Sequence, residues 1–154
     1  MIADGHDNRH FLTVQRAINL LLKGAMLAVL AGTPAIAWQT QTDFRGLVNN
    51  DLVQGPLVIK VICDPGSAFV PAADQAMLTL EGQLLHGPYT LSSEAGTASG
   101  ILADGLISNR HDGSWTSFAH LLQTGSRFEL IVENQSITFH STSALPKTCL
   151  SDRS

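Results

Sequence analysis

At 154 residues the chain is long enough for one ordinary domain and no second sizeable core. Hydrophobic residues make up 44% and charged residues only 14%, which excludes a disordered charged tail. Nine Lys and Arg against 13 Asp and Glu give a net charge of −4, so the basic footprint of a nucleic-acid binder is absent. Thirteen Gly and six Pro imply many turns and favour short strands over long helices.

The first 37 residues differ from the rest. Arg9, Arg16 and Lys23 form a basic region, and GAMLAVLA follows from Gly24 to Ala31. Gly32-Thr33-Pro34 breaks the run, and Ala35-Ile36-Ala37 precedes Trp38. Basic residues, a short apolar core and a small-x-small end make up a secretory signal peptide, which predicts cleavage between Ala37 and Trp38. The alternative is an uncleaved anchor, since Ala17 to Leu22 is also apolar. Lys23 splits the two runs into pieces shorter than the ~20 residues that a spanning helix needs. Membrane contact is therefore expected only through this leader, before its removal. What remains carries six basic and 11 acidic residues, net −5.

Export places Cys63 and Cys149 in an oxidising compartment, where paired thiols close. Such a bridge closes a loop of about 87 residues, worth on the order of 4–5 kcal/mol in the chain-entropy view. Metal or redox chemistry is the competing reading, but no CxxC and no nearby His/Cys cluster exist.

Residues 38–56 are polar, end at Gly55-Pro56, and read as a linker or irregular lead-in to a stapled domain over 57–150. Leu57–Cys63 is apolar and mostly β-branched, a buried strand, and Asp64-Pro65-Gly66 is a turn. Residues 67–75 read as loop, and residues 77–81 as a second strand. Gly82–Pro88 turns the chain into extended Tyr89-Thr90-Leu91. Ser92–Gly100 reads as an exposed loop. Asp104-Gly105 between two apolar triplets is a hairpin signal. Ser114–Thr124 places Trp115, Phe118, Leu121 and Leu122 on one helical face, with Ser114 or Asp112 as cap and Gly125 beyond the end. Residues 127–132 and 136–140 alternate as a hairpin with Phe128, Leu130, Val132, Ile137 and Phe139 inward. A helical turn within Ser141–Leu150 would bring Cys149 back to the first strand. The predicted fold is mainly β (α+β): a single antiparallel domain, sandwich or barrel-like, with one amphipathic helix packed on the sheet.

Chemistry-bearing patterns are sparse. His111-Asp112 with Ser114 and Ser117 invites a triad, but the residues share one loop-to-helix junction and no nucleophile elbow accompanies them. His86, His111, His120 and His140 lack the i, i+4 spacing of helical metal ligands. Asp74, Glu81, Glu94, Asp104 and Asp112 lie in or beside turns, where carboxylates commonly serve the backbone. Asn134-Gln135-Ser136 matches a glycosylation sequon at a predicted hairpin tip. No phosphate loop, zinc spacing or heptad is present.

Two stretches carry a family likeness. Residues 121–132, LLQTGSRFELIV, fit L-x-x-G-x-x-(F/L)-x-(L/V)-x-V, and residues 137–149, ITFHSTSALPKTC, approach V-x-F-x-L-x-G-S-x-A-L-x-x-C. This resembles the C-terminal half of the invasion-associated locus B family, with Thr142 or Ser143 where a glycine is frequent and without a second local cysteine pair. The resemblance implies a β-rich envelope domain with no established enzymatic activity. Cys63, Cys149 and Ala98-Ser99-Gly100 are also similar to periplasmic lysozyme inhibitors of the membrane-bound C-type class, although the Tyr and Lys of that loop are missing. The expectation is an exported periplasmic or envelope binding module, not an enzyme, needing no cofactor or metal and meeting a protein or cell-envelope component. An inhibitor of a cell-wall enzyme and a small hydrolase using His111 or His120 are the alternatives.

Overall fold

In the computed structural model the described residues are 36–110 and 113–150. The first sheet contains β1 (Gln39–Thr42), β2 (Val48–Gln54), β3 (Leu57–Cys63), β4 (Gln75–Leu80) and β5 (Gln83–Leu84) in that order, all antiparallel. Two further strands, β6 (Gly87–Ser93) and β7 (Gly96–Leu102), form a hairpin, and β8 (Leu106–Ser108) returns to β4. Helix α1 (Trp115–Thr124) follows, then β9 (Arg127–Val132), β10 (Gln135–His140) and a 3-10 turn at Lys147–Leu150. The second sheet runs β10-β9-β6-β7. The domain is thus a β-rich α+β fold of two antiparallel sheets, with no closed barrel among the described residues.

Alternation builds the core. Leu57, Ile59, Val61 and Cys63 of β3 and Phe128, Leu130 and Val132 of β9 are buried, every second residue. Phe128 and Phe139 stack across β9–β10 at 4.8 Å. Helix α1 packs on β7 and β6 through Trp115, Phe118, Ala119, Leu121 and Leu122, all buried. Phe118 is fully enclosed and meets Tyr89 edge-on at 5.9 Å. The Cys63–Cys149 disulfide forms, with Cα atoms 4.8 Å apart, and fastens the final turn to β3.

The structure corrects four local readings. Residues 38–56 are not a lead-in: β1 and β2 are strands, and β2 pairs with β3 from Val48↔Cys63 to Gln54↔Leu57. Their polarity hid them, because β1 is an exposed edge strand and one of the two buried positions of β2 is held by an asparagine. Asn50 is completely buried and accepts a 2.8 Å hydrogen bond from the Thr40 hydroxyl, while its Nδ2 lies 3.5 Å from the Val61 carbonyl and Cys63 Sγ. The domain therefore begins before residue 57.

Ser92–Gly100 is likewise strand rather than exposed loop, apart from the turn at Glu94-Ala95. Its hydroxyls lie across from one another, Thr90 and Ser99 at 3.3 Å and Ser92 and Thr97 at 3.4 Å, so turn-like composition conceals a polar outer face.

At Asp104-Gly105 both φ angles are positive, 51° and 75°, as the expected two-residue turn requires. Only one bridge, Ala103↔Leu106, closes it. Its arms then part, β7 to the second sheet and β8 to β4, which makes the turn a corner between sheets. A Cβ on Gly105 would stand 2.7 Å from Leu84 Cδ2 and 3.1 Å from the Leu78 carbonyl.

Helix α1 ends differently from the expectation. Ser114 is αR and makes no side-chain cap; its hydroxyl lies 2.8 Å from the Tyr89 hydroxyl instead. Gly125 is extended rather than left-handed, and its N–H donates to the Leu121 carbonyl at 2.7 Å. The alternative cap, Asp112, lies outside the described residues, as does His111.

Candidate functional site

A surface groove of about 860 Å³ lies at one end of the second sheet. Strands β9 and β10 supply its outward positions. Arg127 and His140 face each other in register, as do Glu129 and Thr138. Ser92 and Glu94 come from the end of β6 and its turn, and Gln54 from the end of β2.

Several of these side chains are fixed by hydrogen bonds. Glu94 Oε1 accepts from the Ser126 N–H at 2.6 Å and the Ser126 hydroxyl at 2.8 Å, and Oε2 accepts from the Arg127 N–H at 3.3 Å. Its own backbone N–H, the Ser126 hydroxyl and the N–H groups of Ser126 and Arg127 hold the carboxyl down at about 2. Glu94 thereby pins the link between α1 and β9. Gln54 joins the two sheets: its Oε1 accepts from the His140 N–H at 2.8 Å, and its Nε2 lies 3.4 Å from His140 Nδ1. Glu129 accepts the Ser136 hydroxyl at 2.6 Å. A groove with preset polar groups loses little side-chain freedom when it is filled.

The expected site residues fall in different places. Cys63 and Cys149 are joined. Ala35 lies outside the described residues, Ala37 is exposed, and Trp38 is buried in the core. His86 is exposed and stands 3.8 Å from exposed Asp104, and His120 is on the outer face of α1. Among the described histidines, only His140 reaches the groove. Asp74 serves the backbone, its Oδ1 accepting the Asp64 N–H at 2.8 Å. Asn134 is exposed in the two-residue β9–β10 turn. Ala98-Ser99-Gly100 lies inside β7, so Ser99 does not project from a loop as in the inhibitor likeness. Among the described residues no three His, Cys, Asp or Glu converge to hold a metal ion, and no helix is long and apolar enough to cross a membrane.

Sequence reasoning missed Arg127, Glu129 and Gln54. The first two were findable, since the alternation that turns Phe128 and Leu130 inward turns Arg127 and Glu129 outward. Gln54 was not, because its segment did not read as a strand. No protein-family model, curated protein or solved structure matches this chain.

Proposed function

We propose that this protein is an exported envelope domain that acts by binding a protein or other cell-envelope component, without catalysis, through the groove at Arg127, Glu129 and His140. The observation that carries this reading is the preset polar lining of that groove, with Gln54 and Glu94 locked by backbone donors. The Cys63–Cys149 bridge supports an oxidising compartment, and the basic, apolar, small-x-small leader supports export. The resemblance to the invasion-associated locus B family points the same way.

The test is capture from native envelope extract on immobilised residues 38–154. A component retained by the wild type should be lost by the Arg127→Ala/His140→Ala variant and kept by Lys60→Ala, whose side chain pairs with Asp51 within the first sheet at 3.3 Å. Capture indifferent to the groove variant would reject the site.

A further inference from the structure

The segment before β1 is held by the segment after β10. The Ile36 carbonyl accepts two hydrogen bonds from Thr142, one from its N–H at 2.7 Å and one from its hydroxyl at 2.9 Å. Two residues on, the Trp38 N–H donates to Ser143 Oγ at 3.1 Å. Residue 143 is itself tied back, its carbonyl accepting the Ser141 hydroxyl at 2.6 Å. Trp38 is 9% exposed and belongs to the core, and Ile36 packs against that core. Ala37 alone is exposed between them.

A protease must draw residues on both sides of the scissile bond into its cleft, and it nicks segments free of such ties. Here both neighbours of Ala37 are engaged. We infer that the Ala37–Trp38 bond is open to hydrolysis only before residues 141–143 close over it. Folding of the C-terminal segment then sets a time limit on leader removal. The inference rests on the export reading. Cys149 follows closely and is bonded to β3, so oxidation secures the closed arrangement.

Hydrolysis adds one water across the bond, leaving a carboxylate on Ala37 and an ammonium on Trp38. The ammonium retains a donor for Ser143 Oγ and Trp38 remains in the core, so the cut product keeps its fold. Thr142 loses its acceptor on Ile36.

The experiment uses the full chain in three forms: oxidised wild type, oxidised Thr142→Val/Ser143→Ala, and wild type reduced and carboxymethylated at both cysteines. Charged groups on two buried cysteines block native packing in the third form. Each is exposed to a leader peptidase in detergent and, separately, to elastase, which cuts after small residues, and the products are weighed intact. The carboxymethylated chain should be cut after Ala37, and the oxidised wild type at least about tenfold more slowly, as when cleavage waits on local opening. The double variant should regain part of that rate. An oxidised wild type cut as fast as the carboxymethylated chain, or a double variant as protected as wild type, overturns the inference. If elastase shows the protection while the leader peptidase leaves even the carboxymethylated chain uncut, the masking stands and the export reading fails.

Discussion

Glu94 is fully exposed, yet three donors from Ser126 and Arg127 converge on its carboxylate. Its pKa is lowered from 4.5 to about 2, so the folded state binds its proton less tightly than the unfolded chain. The stability it contributes is complete above the unfolded value and is lost as pH falls from there towards 2. Melting temperature measured from pH 6 to pH 2.5 should therefore fall more steeply for wild type than for Glu94→Gln; parallel curves would remove Glu94 from this role. Gly125 makes a different demand, for space rather than for backbone freedom. A Cβ there would lie 2.8 Å from Phe128 Cε1 and 2.9 Å from Ser93 Cβ, and Phe128 is already stacked on Phe139. Gly125→Ala should cost ~1–3 kcal/mol in denaturant melts, as overpacking does. Gly113→Ala meets nothing within 4 Å and should melt close to wild type.

At the level of elements, helix α1 was legible because its apolar period is strong and its length leaves no strand alternative. Trp115, Phe118, Leu121 and Leu122 lie where the spacing put them, in the core and not on an exposed patch. Phe118→Ala should cost ~3–5 kcal/mol, a large share of a total near 5–15 kcal/mol, while exposed Thr116→Ala should change the melt little. Strand β3 was legible from its apolar, β-branched run, and β9 and β10 from an alternation that matches a sheet with one buried face. Strands β1, β2 and β7 were not. Many of their outward positions are polar, Gln and Thr in β1, Asn49 and Asp51 in β2, Thr97 and Ser99 in β7, a composition that imitates a loop, and Asn50 takes a core position that an aliphatic residue would have announced. Pairing of β2 with β3 makes the domain sensitive to truncation. A chain starting at Gly55 would lose β1 and β2, leave β3 paired to β4 alone and uncover Leu57, Ile59 and Val61 along its freed edge, whereas one starting at Trp38 keeps the sheet. By circular dichroism and gel filtration the shorter chain should aggregate or fail to fold and the longer one be monodisperse; a well-folded shorter chain would return residues 38–54 to the status of a lead-in.

For the whole molecule, the disulfide fastens the final turn to β3, and its partners were legible because only two cysteines exist and the leader reads as an export signal. The groove was less legible. Its side chains come from β2, β6, β9 and β10, and their convergence depends on two sheets meeting at one end, which no local pattern carries. The hydroxyl-rich outer face of the second sheet and the pinned carboxylates beside it are products of register, not of motif. One measurement addresses the proposed export and the Cys63–Cys149 bridge together. The protein recovered from its native envelope under non-reducing conditions, with free thiols blocked by alkylation, should be weighed intact. The predicted mass is that of Trp38 onward less two hydrogens, with no alkyl group added. A mass that retains residues 1–37 would contradict leader removal, and one carrying two alkylated thiols would contradict the bridge.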